Sequence, residues 1–228
     1  MKFHELLKAK KHSLVISLPA NDAKLAEISW AQGVDAVKVH INVAHKASGT
    51  AFGSFEQEKD VLMQIIAEAN GPCGIVPGVG VDLVAGDYKN AIDAGFNFTS
   101  LYAHDMPISL ANESSISKMV AFDGSYEIDD LKYLERCNAD VFEASIVTSE
   151  TYGEPLSYRE LLRYARICEN TNLPVLVPTQ RKILSSELAN LISCGVSATM
   201  IGAIVTGRTE ESIKRAVAEY RNAIDKLI

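Results

Sequence analysis

The chain has 228 residues, of which 47% are hydrophobic, and a formal net charge of −7 at pH 7. This length and hydrophobic content suffice for one domain with a large core, and α/β barrels often have about 200–250 residues. The acidic balance argues against a nucleic-acid or membrane partner, although a local pocket can still bind a small phosphorylated molecule.

The cysteines and the N-terminal residues indicate the cellular compartment. The four cysteines form neither a C-x-x-C motif nor a zinc pattern, and reduced thiols of this kind are typical of cytosolic proteins. Residues 1–12 lack the apolar stretch of a signal peptide, and no apolar run is long enough to span a membrane. We expect a cytoplasmic protein with no metal site and no cofactor, either monomeric or a homo-oligomer.

Eight strand-like runs alternate with helical patterns along the chain. The predicted strands cover residues 13–18, 36–41, 74–77, 98–102, 118–122, 140–146, 175–177 and 198–201. Helical patterns cover residues 3–7, 25–30, 61–66, 88–94, 108–114, 128–137, 156–168 and 184–192, and a last helix begins after Thr209. Asn21 or Asp22 can cap the helix at 25–30, and residues 42–54 form a longer connection that contains His45 and is interpreted as an ordinary loop.

This alternation predicts the fold class. It favours a single (β/α)8 TIM barrel over residues 1–228, with a short N-terminal helix, and the alternative is a doubly wound open sheet. In such a barrel the functional groups lie at the C-terminal ends of the strands and in the loops that follow them.

Lys38 is the most informative candidate. In AVKVHI, strand alternation places Lys38 and His40 on the face opposite the apolar Val37, Val39 and Ile41, which predicts that both point into the barrel. A buried lysine is costly unless it is paired or has a lowered pKa. It could act as a Schiff-base amine, a proton donor or a charge that holds an oxyanion, or it could belong to a structural ion pair.

Carboxylates at other strand ends are the second set of candidates. Glu143 shares the inward face of DVFEASIV with Val141 and Ser145, so it could be a general base or the counter-ion of Lys38. Asp123 ends the fifth strand and could serve as an acid/base group or bind a divalent ion, although Asp before Gly is also common in turns. The pair His104-Asp105 at the end of the fourth strand could do the same, although adjacent residues cannot both face inward on a regular strand.

The last two strand ends predict a phosphate site. Gly202 and Ala203 can offer unhindered N–H groups, and Thr206 can offer a hydroxyl. Gln180 and Arg181 can contribute side-chain donors from the preceding loop. Barrels frequently bind phosphate after strands seven and eight, whereas the alternative is a glycine turn required only by strand–helix packing.

Residues 119–123, 141–153 and 173–217 resemble the phosphate-binding (ribulose-phosphate-binding) barrels, and within them the N-acylmannosamine-6-phosphate 2-epimerases. That family's last strand reads V-V-G-x-A-I-T, and residues 200–206 read MIGAIVT. The first two strands, LVISLPAND and DAVKVHI, are similar to orotidine-phosphate decarboxylase-like barrels. The resemblance implies phosphate binding at Gly202 and Ala203.

The catalytic positions of these families are not matched. Pro77 stands where the epimerases have a lysine on strand three, and Pro178-Thr179-Gln180-Arg181 replaces their acidic-glycine turn. The carboxylate–lysine array of the decarboxylases is also missing. The resemblance therefore implies the phosphate site without the epimerase chemistry.

Three hypotheses follow. The first is an enzyme that isomerises, epimerises or cleaves a phosphorylated sugar or similar metabolite, with Lys38 as amine or acid and Glu143 as base. The second is a non-catalytic barrel that binds a phosphorylated ligand, and the third is a barrel that serves mainly as an assembly subunit.

Overall fold

Strands and helices alternate along the chain, as the hydrophobic periodicity predicts. A computed structural model describes residues 2–227. Over that range the strands are β1 (Ser13–Ser17), β2 (Ala36–His40), β3 (Ala44–His45), β4 (Thr50–Ala51), β5 (Cys73–Val76), β6 (Phe98–Tyr102), β7 (Ser117–Ala121), β8 (Val141–Glu143), β9 (Val175–Pro178) and β10 (Ala198–Ile201). The helices are α1 (Phe3–Ala9), α2 (Ala23–Ala31), α3 (Phe55–Ala67), α4 (Val81–Ala94), α5 (Ile108–Ala111), α6 (Tyr158–Glu169), α7 (Leu188–Ser193), α8 (Ala203–Thr206) and α9 (Glu210–Asp225).

The parallel strands close into a barrel in the order β1-β10-β9-β8-β7-β6-β5-β2. Closure follows from β1, which pairs in parallel with β10 on one side and with β2 on the other. The prediction of a (β/α)8 TIM barrel is confirmed, and the open doubly wound sheet is excluded because an open sheet would leave two unpaired edges. β3 and β4 pair antiparallel and stand apart from the barrel wall.

Alternation along each strand separates two apolar clusters. The outward side chains pack with the helices into the larger cluster, to which Val37, Val39 and Phe142 belong. The inward side chains near the N-terminal strand ends form a smaller cluster: Val15, Ala36, Phe98, Met119, Val141, Leu176, Ala198 and Met200. This smaller cluster is the floor of the barrel interior, and polar side chains lie above it.

Helix α1 covers the N-terminal end of the barrel. Its buried residues Phe3, Leu6 and Leu7 belong to the interior cluster. The ring of Phe3 stacks on that of Phe98, with ring centroids 3.9 Å apart and an interplanar angle of 12°. The short N-terminal helix predicted from the sequence therefore seals the end of the barrel opposite the C-terminal strand ends.

Two predicted helices differ from the structure. Residues 128–137 form 3-10 turns over Ile128–Tyr133 and Glu135–Cys137 instead of an α-helix. Leu131 and Leu134 are the buried residues, and their spacing of three matches the 3.0 residues per turn of a 3-10 helix. In the pattern at 184–192, a 3-10 turn over Ser185–Glu187 precedes α7.

Other predicted boundaries of strands and helices also differ from the structure. The connection at 42–54 contains the β3–β4 hairpin, whereas the sequence predicts an ordinary loop there. Helix α4 begins at Val81 rather than at residue 88. Strand β8 ends at Glu143 rather than at residue 146, because the Ser145 N–H donates to the Glu143 carbonyl at 2.9 Å. The turn predicted at 202–207 contains the one-turn helix α8.

Capping residues agree with the sequence signals. The carboxylate of Asp22 accepts hydrogen bonds from the N–H groups of Lys24 (2.7 Å) and Leu25 (3.1 Å), so Asp22 rather than Asn21 caps α2. Helix α9 begins after Thr209 as predicted, and Thr209 caps it by accepting from the Ser212 N–H at 3.2 Å. Among the described residues no helix is both long enough and apolar enough to cross a membrane.

Candidate active site

A cavity of about 810 Å³ opens at the C-terminal ends of the barrel strands. Lys38, Ser100 and Glu143 line it from the barrel interior, while the loops after the strands form its mouth. This is the end of a TIM barrel at which catalytic groups are found. The position follows from the fold, since parallel strands bring all their carboxyl ends to one face.

An ion pair lies in the cavity between opposite sides of the barrel. Lys38 on β2 and Glu143 on β8 are each only 5% exposed, and their Nζ and Oε2 atoms are 3.7 Å apart. Ser100 on β6 joins them: it accepts from Lys38 Nζ at 3.4 Å and donates to Glu143 Oε2 at 2.7 Å. Alternation therefore placed both charged groups in the interior, as the sequence predicts.

The carboxylate of Glu143 is held by hydroxyl groups on both oxygens. Ser145 donates to Oε1 at 2.7 Å, and Ser100 donates to Oε2. A carboxylate offers about four acceptor positions, so these contacts orient the group and leave room for a proton from a ligand. Ser100 was missed by sequence reasoning, although it shares the inward face of β6 with Phe98 and Tyr102 at a spacing of two.

His40 lies in the wall beneath the mouth. Only 2% of it is exposed, and its Nε2 is 3.4 Å from the Ser17 hydroxyl. Its Nδ1 is buried without a hydrogen-bond partner among the described residues. Burial holds the pKa of His40 well below its ordinary value, with the nearby His45 and Lys38 acting in the same direction, so the ring is neutral.

His45, on β3 of the hairpin, also lines the cavity. Its ring lies 4.5 Å from that of His40, centroid to centroid, and its Nδ1 is 2.9 Å from the Ser48 hydroxyl. Burial lowers the pKa of His45 to about 4, and the charge of Lys38 contributes to the lowering. A histidine in a loop of glycine and small residues carries no periodic signal, so its position could not be deduced from the sequence.

The lowered pKa of His45 predicts a loss of stability in acid. The unfolded chain takes up the proton near pH 6.5 and the folded protein near pH 4, so this contribution is intact above pH 6.5 and decreases as the pH falls through that window. Relative to His45→Phe, the wild type is expected to lose about 2 kcal/mol of unfolding free energy between pH 7 and pH 5. Urea unfolding of both proteins at the two pH values measures this difference. Parallel losses in both proteins would contradict it.

Asp123 lies at the rim, where it lines the cavity. Its Oδ1 accepts from the backbone N–H of Ser125 at 2.9 Å and from the Ser125 hydroxyl at 2.5 Å. These hydrogen bonds lower the pKa of Asp123, which keeps it ionised. The candidates His104 and Asp105 differ in exposure: His104 lies at the exposed rim, whereas Asp105 is buried and accepts from the Gly80 N–H at 2.8 Å. Their Nε2 and Oδ2 atoms are 3.7 Å apart.

The predicted phosphate residues are only partly brought together. Gln180 and Gly202 line the cavity, whereas Ala203, Thr206 and Arg181 do not. The Gly202 N–H donates to the Thr179 hydroxyl at 3.1 Å, and the buried Thr206 hydroxyl donates to the Gly207 carbonyl at 2.9 Å. Gly202 is thus part of the wall, but its own N–H already has an acceptor.

Gln180 is held in the wall by three polar contacts. Its Oε1 accepts from the Val147 N–H at 3.1 Å, while its Nε2 donates to the Tyr152 hydroxyl at 2.7 Å and lies 3.4 Å from the Ser145 carbonyl. Burial raises the pKa of the Tyr152 and Tyr102 phenols, so both stay protonated at the rim and can donate hydrogen bonds.

Arg181 points away from the cavity because two carboxylates hold it. Its guanidinium pairs with Glu154 and, at 3.2 Å, with the buried Glu160 of α6. The arginine that does line the cavity is Arg163, also on α6. Among residues 2–227 no carboxylate lies within ion-pair distance of Arg163, and no group of three or more His, Cys, Asp or Glu side chains could hold a metal ion.

Known protein structures share the fold of this chain, but no known protein family matches it. No family model matches the chain, and no curated protein matches it in sequence. A thiamine phosphate pyrophosphorylase from Pyrococcus furiosus is similar with a TM-score of 0.66 and 15% identity, covering 96% of this chain and 98% of that one. The likeness shows the fold.

Tryptophan synthase structures give the same result. The A-subunit from Pyrococcus furiosus has a TM-score of 0.70 and 14% identity, covering 92% of this chain and 98% of that one. The Mycobacterium tuberculosis tryptophan synthase has a TM-score of 0.74 and 13% identity, covering 96% of each chain. At such identities only the TIM barrel architecture is shared, and the resemblance to the epimerases stays a prediction.

Proposed function

We propose that this protein is an enzyme that acts on a small phosphorylated carbonyl metabolite, such as a sugar phosphate, by proton transfer next to the carbonyl. The reaction is an isomerisation, an epimerisation or an aldol-type cleavage. The observation that carries the proposal is the buried pairing of Lys38 with Glu143 through Ser100 inside the cavity. A cation and an oriented carboxylate on opposite walls are what such a proton transfer requires.

Lys38 supplies the electron sink. As an ammonium it stabilises the oxyanion that develops when a proton leaves the neighbouring carbon. As a free amine it attacks the carbonyl carbon: an Nζ–C bond forms, a proton is taken up from solvent, the C–O bond breaks and water leaves, giving an iminium ion. In either form Glu143 accepts the proton, from carbon in an isomerisation or from a hydroxyl in an aldol cleavage.

The phosphate end is assigned to the loops after β9 and β10. Gly202 and Gln180 contribute the wall there, and Ile204 lines it as well, with an N–H that has no acceptor within the one-turn helix α8. Arg163 supplies the cation there in place of the side-chain donor predicted at Arg181, since Arg181 is neutralised by Glu154 and Glu160. One similar structure, a thiamine phosphate pyrophosphorylase, is named for a phosphorylated compound, which supports an enzyme of this kind.

Borohydride trapping tests the proposal. The protein is incubated with a panel of phosphorylated aldehydes and ketones and then reduced with sodium borohydride, and intact mass and peptide mapping locate any adduct. In parallel, the exchange of protons of each compound for deuterium from deuterated water measures turnover. An adduct at Lys38 indicates an aldolase, whereas exchange without an adduct indicates an isomerase or epimerase.

The matched control is Lys38→Arg, which keeps the charge but offers no amine for an iminium ion. The alternative is a binding-only barrel. Thermal stabilisation by a phosphorylated ligand, of about 2.7 kcal/mol at a hundredfold excess over Kd, with neither exchange nor an adduct across the panel would favour that alternative.

A further inference from the structure

The β3–β4 hairpin lies across the mouth of the cavity. Its Thr50 hydroxyl donates to the Pro19 carbonyl after β1 at 2.7 Å, and its Lys46 donates to the Ser149 hydroxyl after β8 at 3.2 Å. At Gly49, the space where a Cβ would stand is 3.1 Å from the Arg208 guanidinium, which follows α8. The hairpin therefore touches the loops of three other βα units.

Hydrogen bonds of Asn42 fix the base of the hairpin in one position. Asn42 leaves β2 with a φ of 55°, a left-handed conformation that asparagine tolerates better than most residues. Its side chain donates to the Pro77 carbonyl at 3.1 Å and to the Asp87 carboxylate at 2.7 Å, while its N–H donates to the Gly53 carbonyl at 2.8 Å. These contacts clamp the start of the hairpin to its end and to the neighbouring unit.

The hairpin brings the ring of His45 over the cavity. That ring rests on His40, and His40 in turn packs against Phe52, with centroids 4.9 Å apart. The His45 Nδ1 is taken by the Ser48 hydroxyl, and Ser48 is fully buried. Nε2 is then the ring nitrogen that remains for a ligand in the cavity.

We infer that His45 is a further catalytic residue, which donates a hydrogen bond from Nε2 to the carbonyl oxygen of the substrate opposite Lys38 and Glu143. His40 is a positioning residue that supports the ring from below. The inference rests on the proposed function, because it needs a substrate oxygen that gains negative charge. It assigns to the hairpin a part of the site that the barrel strands do not supply.

Three features suit His45 to this role. It lines the same cavity as Lys38 and Glu143, and both charges act on its ionisation. The Thr50 N–H donates to the Ser48 oxygen at 3.4 Å, so the Ser48 hydroxyl proton can point to Nδ1, which leaves the ring proton on Nε2. A neutral imidazole can polarise a carbonyl without adding a second cation beside Lys38.

Calorimetric binding of two probes tests the inference without requiring turnover. Inorganic phosphate probes the phosphate site alone, whereas 2-phosphoglycolate adds a carboxylate that imitates the charged oxygen of the reacting substrate. In His45→Phe, which keeps a ring on His40 but loses the N–H, the affinity for 2-phosphoglycolate is expected to fall about tenfold to a hundredfold, because a hydrogen bond to a charged acceptor is lost. Binding of inorganic phosphate is expected to stay within about twofold, since phosphate does not reach the ring.

Two control variants sharpen the result. His45→Gln keeps a side-chain N–H and is expected to recover part of the affinity for 2-phosphoglycolate. His4→Phe removes an imidazole from α1, at the opposite end of the barrel, and is expected to change neither affinity. An unchanged ratio of the two affinities in His45→Phe would overturn the inference alone. Failure of the wild type to bind either probe would overturn the inference together with the proposed phosphate site.

Discussion

Replacing Lys38 by methionine is expected to lower turnover of the substrate by about 10⁴-fold, because the reaction loses its amine or its oxyanion partner. The same change is expected to lower the free energy of unfolding by about 3 kcal/mol, since Glu143 would remain buried without its counter-ion. Steady-state kinetics and urea unfolding measure the two effects. Turnover within about tenfold of the wild type would leave Lys38 with a structural role only.

A double variant separates the two roles of the pair. In Lys38→Met with Glu143→Gln no charge is left unpaired, and the glutamine can accept from one of the Ser100 and Ser145 hydroxyls through its oxygen and donate to the other through its NH2 group. Stability is therefore expected to return to within about 1 kcal/mol of the wild type while turnover stays lost. If turnover returned with stability, the pair would be a structural ion pair.

Lys118 provides the matched control for burial of a lysine. It is 6% exposed and pairs with Asp140 at 3.2 Å, but it lies outside the cavity. Lys118→Met is expected to reduce stability and to leave kcat and KM unchanged, because no substrate reaches that lysine. The two lysines thus share their burial and differ only in the chemistry around them.

The architecture and the charged pair of the site could be predicted because both depend on local periodicity. Strand alternation with period two decides which side chains of a barrel strand face inward, whatever the partner strands are. That rule was sufficient to place Lys38, His40 and Glu143 in the interior. It could not show that Ser100 joins Lys38 to Glu143, since Lys38 and Ser100 are 62 residues apart in the sequence.

The features that could not be predicted depend on contacts distant in sequence. Arg181 is drawn from the cavity by Glu154 and Glu160, and nothing in the local pattern indicates this pairing. The position of His45 depends on how the hairpin folds over the mouth, which is decided by hydrogen bonds to Pro19 and Ser149. Loop contacts of this kind leave no periodic pattern in the sequence. The sequence therefore predicts only those residues of the candidate site that lie on the strands.

The barrel floor limits how freely the site can vary. Phe98 is fully buried, stacks on Phe3 and stands two residues before Ser100 on the same face of β6. Phe98→Ala is expected to lower the free energy of unfolding by about 4 kcal/mol, because the lost apolar burial adds to the cost of the cavity left behind. Urea unfolding checks this value, and a loss below about 1 kcal/mol would show that the floor can collapse around the missing ring.

Gly74 is the counterpart of Phe98 in the neighbouring strand. A Cβ built at Gly74 would stand 2.1 Å from the Phe98 ring, so Gly74→Ala is expected to cost about 1–3 kcal/mol through overpacking. In the double variant with Phe98→Ala the two losses should not add, because the new methyl group occupies space that the ring has left. Gly86→Ala is the control: its Cβ would meet nothing within 4 Å on helix α4, so it is expected to stabilise the protein by about 1 kcal/mol. Strict additivity of the Gly74 and Phe98 changes would contradict the close packing of these residues beneath Lys38.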